Sequence, residues 1–204
     1  AEIPIFLAAI EDHPFRNAYG LCLFAGLREG ECLGLTWDCV DFERGRITVR
    51  QQLQKSRTES GTYRIVSSTK SGKVRVIEPP TVAFDYLRTR QVENRLRAGK
   101  LWDNAQDLVF TNPLGGHVVI ETFRRNFKRL AASMGRPDLR PHDLRHTCAT
   151  VAIAAGADIK SVQSLMGHAT ASFTLDVYAH TSETMMADTA SRMQSYYDNL
   201  AQRG

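Results

Sequence analysis

Pro79-Pro80 divides this chain into two regimes. Consecutive prolines fix φ and offer no backbone N–H, so neither a helix interior nor a central strand runs through them. Before them the apolar residues come in short β-prone runs. Val40-Asp41-Phe42 and Ile47-Thr48-Val49 flank Glu43-Arg44-Gly45, a hairpin signal, and Val74-Arg75-Val76-Ile77 reads as a third strand that the prolines close. Between the second and third strands lies a long polar excursion, Ser56 to Ser71. A loop of that length inside a compact domain is usually functional or mobile.

The rest of the chain has helical periodicity. Ile3, Phe6, Leu7 and Ile10 recur at helical spacing, Phe15 to Phe24 gives a second apolar helix, and Glu31 to Leu35 a short third. After the prolines, Val82 to Leu96 carries Phe84, Leu87 and Val92 on one face and basic residues opposite. Phe123, Phe127 and Leu130 form the buried face of another helix. Helices follow over Pro141 to Ala155 and Asp158 to Met166, the latter with Asp158 as N-cap and Gly167 as its stop. The pattern continues through Ala171 to Tyr178 and Glu183 to Leu200. The fold class is therefore α+β, mostly helical, with three short strands before the prolines. With 204 residues, 43% of them hydrophobic, and no internal repeat, residues 1–204 read as a single domain with one core.

A net charge of +4 permits a polyanionic partner without requiring one. The basic residues cluster, however. Lys55, Arg57, Arg64, Lys70, Lys73 and Arg75 face a single acid, Glu59; Arg124, Arg125, Lys128, Arg129, Arg136 and Arg140 form a second group. Cys22, Cys32, Cys39 and Cys148 make no CxxC pair, which fits reduced thiols in a cytoplasmic protein. No stretch is apolar enough to span a membrane. Starting at Ala1 and running directly into Ile3-Pro4-Ile5-Phe6-Leu7, the chain reads as a domain excised from a longer protein.

Chemistry concentrates in Pro141-His142-Asp143-Leu144-Arg145-His146-Thr147, followed by Gly167-His168 and Tyr178, with Gly26-Leu27-Arg28-Glu29-Gly30-Glu31 far upstream. On a helix, His142, Arg145 and His146 share one face. Pro141 suits the first turn, and the helix N-terminus favours an anion. Cations, proton carriers and a hydroxyl together suit a phosphodiester. A zinc site of His142, His146 and His168 is the rival chemistry. The zinc-protease pattern wants Glu directly after the first histidine, where this chain has Asp143, and Arg145 would stand among the ligands.

Ordered as R…HxxRH…GH…Y, these residues resemble the catalytic set of the tyrosine recombinases, the integrases of phages and conjugative transposons. The likeness covers about Ile3 to Tyr197 and implies the catalytic fold of that family, α+β and mostly helical with a small three-stranded antiparallel sheet on one edge. It implies that Tyr178 is the nucleophile, that Arg28 and Arg145 bind the phosphate, and that His142 and His168 complete the set. Lys70 is the general acid by its place before the third strand, with Lys73 the alternative, and Glu31 steadies Arg28. His146 is a structural companion. Lys73, Arg75, Arg124, Arg125 and Lys128 are expected to touch DNA.

The resemblance further implies site-specific strand cleavage and rejoining through a 3′-phosphotyrosyl link, with neither metal nor cofactor. Double-stranded DNA is the partner; the protein is a monomer alone and a tetramer on DNA, with residues 183–200 able to pack on a neighbouring protomer. Upstream DNA-binding domains are expected outside this fragment. A type IB topoisomerase would share the chemistry, and a non-catalytic DNA-binding module would share the basic clusters.

Overall fold

The computed structural model describes residues 2–56, 63–67 and 74–167. The chain divides into two compact units, Ala1–Cys148 and Ala149–Gly204.

The first unit opens with helices α1 (Glu2–Ala9), α2 (Arg16–Ala25) and α3 (Glu29–Leu33), then a single 3-10 turn over Trp37–Cys39. Five strands follow among the described residues: β1 (Val40–Asp41), β2 (Arg46–Val49), β3 (Gln51–Lys55), β4 (Tyr63–Ser67) and β5 (Arg75–Ile77). Strands β1, β2 and β5 form the expected antiparallel sheet, with Val40 opposite Ile47 and Ile47 opposite Ile77. The β1–β2 turn uses Gly45 at φ 64°, a left-handed conformation that favours glycine. Strand β5 ends before the two prolines, and α4 (Thr81–Arg97) starts after them with Pro80 as its N-cap.

The polar excursion is shorter than its composition suggests. Strands β3 and β4 pair antiparallel from Gln51–Ser67 to Lys55–Tyr63 as a separate ribbon. Glutamines and lysine conceal the strand because one inward residue, Leu53, carries its burial. Helix α3 lies directly on it. A Cβ at Gly34 would stand 2.6 Å from the Leu53 nitrogen, and one at Gly30 would stand 2.8 Å from the Leu53 carbonyl oxygen. Side chains at these two positions would push the helix off the ribbon.

An aromatic part of the core lies between α2 and α5 (Ile120–Ser133). Phe123, Phe127 and Leu130 are buried as their spacing predicts. Tyr19 packs tilted against Phe123 and edge-to-face against Phe127 at centroid separations of 4.8 and 5.1 Å, and its hydroxyl donates to the Phe123 carbonyl at 3.0 Å. Such aromatic pairs add roughly 0.5–1.5 kcal/mol each beyond the area they bury.

Helix α4 departs from its sequence pattern. Phe84 and Leu87 are buried, but Val92 is 54% exposed, and the polar residues Arg90 and Asn94 go inside. Both donate to the Val109 carbonyl at 3.1 Å, and Arg90 also donates to the Thr111 carbonyl at 3.2 Å. The run Leu108-Val109-Phe110 is buried and irregular apart from an isolated bridge between Leu108 and Thr36, with Val109 N–H bonded to the Leu35 carbonyl. Its unpaired carbonyls need donors, and α4 supplies them.

Helix α6 (Pro141–Ala154) contains the boundary between the units. In the second unit, α7 (Ile159–Met166) starts where Asp158 accepts the Ser161 N–H at 2.9 Å and stops at Gly167, φ 59°. Val162 and Met166 are its buried residues. The helices expected over 171–178 and 183–200 lie outside the described residues. No helix among the described residues is long and apolar enough to cross a membrane.

Candidate active site

Helix α2 ends at Gly26 in the left-handed region, φ 62°. That turn aims Leu27 into the core and leaves Arg28 as the N-cap of α3. Three residues on, Glu31 is buried and reaches back to accept the Arg28 backbone N–H at 2.9 Å. Its other oxygen accepts Nη1 of Arg28 at 2.9 Å. From β5, Arg75 adds Nη1 to Oε1 at 2.8 Å and Nη2 to Oε2 at 2.7 Å. Burial by itself would raise the Glu31 carboxyl, but the bonds and charges of Arg75 and Arg28 outweigh it and hold the group at about 2.

Arg145, on α6, is 1% exposed, and its Nη1 donates to the Gly26 carbonyl. Burial first, then the positive charge of Arg28, pulls its guanidinium down to about 9, with Glu31 opposing. It remains a cation at neutral pH. Two guanidinium groups bond the buried Glu31 carboxylate and a third, Arg145, feels its charge, so the excess positive charge suits an oxyanion.

Helix α6 begins as its sequence requires, with Pro141 in the first turn and Asp143 accepting the Arg140 N–H at 2.7 Å. One turn apart, His142 and His146 meet edge to face at 4.4 Å. Burial, then the charges of His146, Arg145 and Arg28, lowers the His142 pKa and keeps its imidazole neutral at neutral pH. His146 is lowered chiefly by burial.

His142 lines two adjoining clefts. One, of about 390 Å³, is bounded by Arg28, Glu29, Gln52, Lys55 and Arg124. The other, of about 560 Å³, is bounded by Arg124, Lys128, Arg140 and Glu29. Arg124 is an exposed residue of α5 whose Nε donates to both oxygens of Glu29, at 2.9 and 3.1 Å. Arg125 points elsewhere, to the Thr122 hydroxyl at 3.5 Å. Among the described residues, no three His, Cys, Asp or Glu side chains cluster so as to hold a metal ion.

Of the residues singled out from the sequence, Arg28, Glu31, His142 and Arg145 come together in one place. Lys70, Lys73, His168 and Tyr178 lie outside the described residues. Arg75 was expected on the DNA-facing surface, but both of its η nitrogens are engaged by Glu31. One signal for this was present in the sequence. Strand alternation puts Arg75 on the side of buried Ile77, while Val76 faces out.

Comparison with known proteins gives a consistent picture. Residues 2–185 match the Phage integrase family. A tyrosine recombinase XerC-like protein of Caldanaerobacter subterraneus subsp. tengcongensis is 30% identical over 191 residues, covering 88% of this chain and 49% of that protein. The transposase from transposon Tn916 of Enterococcus faecalis is 33% identical over 178 residues, covering 82% and 43%. Among solved structures, the Tn1549 transposon integrase in complex with a circular intermediate DNA superposes with a TM-score of 0.76 at 27% identity, covering 93% of this chain and 63% of that one. The chain thus spans about half the length of the curated relatives it matches.

Proposed function

This chain belongs to the Phage integrase family, and from that premise we propose that it is the catalytic part of a site-specific DNA recombinase. The observation that carries the reading is the gathering of Arg28, His142 and Arg145 around buried Glu31, with Arg28 and His142 lining clefts rimmed by Lys55, Arg124 and Lys128. The Tn1549 integrase, solved with a circular intermediate DNA, supports DNA as the substrate.

In this reading the Tyr178 oxygen attacks a backbone phosphorus, and its phenolic proton passes to neutral His142. Arg28 and Arg145 bind the non-bridging oxygens and stabilise the charge that grows there. The 5′-oxygen leaves with a proton from Lys70, while His168 donates a hydrogen bond to the phosphate. The products are a 3′-phosphotyrosyl bond and a free 5′-hydroxyl. Attack by another strand's 5′-hydroxyl reverses the step and exchanges the strands, so bond energy is kept in the covalent link. On DNA the protein acts as a tetramer, and the segment 183–200 docks on a neighbouring protomer.

The test is a pool of nicked duplexes of randomised sequence, incubated with the chain in excess EDTA. An SDS-resistant protein–DNA adduct is expected, absent from Tyr178→Phe although that variant still binds DNA. Sequencing the trapped DNA would give the site. Adduct that forms only with added metal ion would favour the three-histidine zinc chemistry.

A further inference from the structure

Glu31 lies against Arg28, and a buried carboxylate that closed a two-pronged bond on that guanidinium would neutralise a phosphate-binding group. The surroundings of Glu31 prevent this. Arg75 takes both of its oxygens in fork geometry, while Arg28 contributes one η nitrogen and its backbone N–H. Those four bonds fill the acceptor positions of a carboxylate. The Arg75 side chain is 13% exposed, and its Nε is buried with no hydrogen-bond partner among the described residues. The two η bonds to Glu31 are therefore what fix the guanidinium.

We propose that Arg75 is a positioning residue: by occupying the fork of Glu31 it holds that carboxylate off Arg28 and preserves the Arg28 charge for a phosphate group. The inference rests on reading Arg28 as a phosphate-binding arginine. Take Arg75 away, and Glu31 has two vacant acceptor positions with Arg28 the cation already at hand. The pair then closes, and the anion competes with a carboxylate. Arg75 acts through Glu31 and need not touch DNA.

Charge removal at Glu31 separates this role from the others. Four chains are compared: the parent, Arg75→Gln, Glu31→Gln and the double variant. Each is labelled with 15N-arginine, the Arg28 side-chain signal is followed during titration with inorganic phosphate, and the adduct-forming rate is measured in parallel. Arg75→Gln should weaken the Arg28 response and slow adduct formation by about tenfold, the scale of one charge-assisted hydrogen bond. Adding Glu31→Gln to it should restore most of both, because the competing charge is gone. A double variant as impaired as Arg75→Gln would overturn the proposal, as would an Arg28 response unaffected by Arg75→Gln. Should Arg75→Gln not fold, Arg75→Lys, which keeps the charge and loses the fork, is put through the same comparison. A parent chain that forms no adduct but shows the phosphate pattern would defeat the recombinase reading and leave the role of Arg75 standing.

Discussion

The Arg145 guanidinium donates to the carbonyl oxygen of Gly26, a residue 119 positions away in sequence. Gly26 is also the left-handed residue whose turn leads into Arg28. One helix end therefore sets the two arginines at once, from segments that share no local sequence signal.

That arrangement is bought with a buried cation. Burial and the neighbouring Arg28 charge disfavour the Arg145 guanidinium, as its lowered pKa records. Arg145→Met, which keeps the length and removes the charge, relieves that desolvation but leaves the Gly26 carbonyl without this donor, so the net loss of stability should stay within about 1–3 kcal/mol. The same change should cost roughly 10²–10³ in cleavage rate, the scale for losing one oxyanion donor. Urea unfolding and adduct kinetics on the same preparation check both halves. Marked destabilisation would make Arg145 an ordinary structural residue.

Acid should loosen the Arg28–Glu31–Arg75 triad. The Glu31 pKa is depressed from 4.5 to about 2 in the fold. A group so lowered contributes stability that is fully present above its unfolded value and lost as pH falls through the folded one. The loss is on the order of 3 kcal/mol between pH about 4.5 and about 2. Glu31→Gln should flatten the stability curve in that window while lowering the plateau at neutral pH. An unchanged acid limb in Glu31→Gln would remove Glu31 from the account.

For His142 the direction is also downward, from burial and then from the charges of His146, Arg145 and Arg28. The folded state resists protonation, so stability falls as pH drops below the ordinary imidazole value of 6.5 and levels off below the folded one. If His142 accepts the tyrosine proton, cleavage holds its rate through neutral pH and declines only below pH 6.5. Removing a neighbouring cation with Arg28→Met should move that decline to higher pH, seen in the residual adduct rate. A decline that stays in place would show that another group sets it.

Much of this was legible in the chain. Helix limits followed from apolar spacing and from caps such as Asp158 and Gly167, because those signals are local. Arg28, Glu31, His142 and Arg145 stood out by residue type and order. What could not be read was the fate of charges whose partners are distant. Arg90 looked like part of a solvated face, yet it is buried against the carbonyls of Val109 and Thr111. Arg75 looked like part of a basic patch, and its partner Glu31 is 44 residues away. The β3–β4 ribbon was hidden because one buried leucine, and not an alternating pattern, secures it. Periodicity reports which face is apolar; it does not report which cation a buried oxygen will claim.

The most direct measurement is the identity of the residue that carries the DNA. Trypsin cutting after Lys160 and Arg192 releases residues 161–192, in which Tyr178 is the sole tyrosine, whereas Tyr196 and Tyr197 fall in the next peptide. After nuclease digestion of the trapped adduct, mass spectrometry should find the nucleotide on the 161–192 peptide, joined through a 3′-phosphate. Nucleotide on the peptide holding Tyr196 and Tyr197, or a 5′-linked phosphate, would contradict the account.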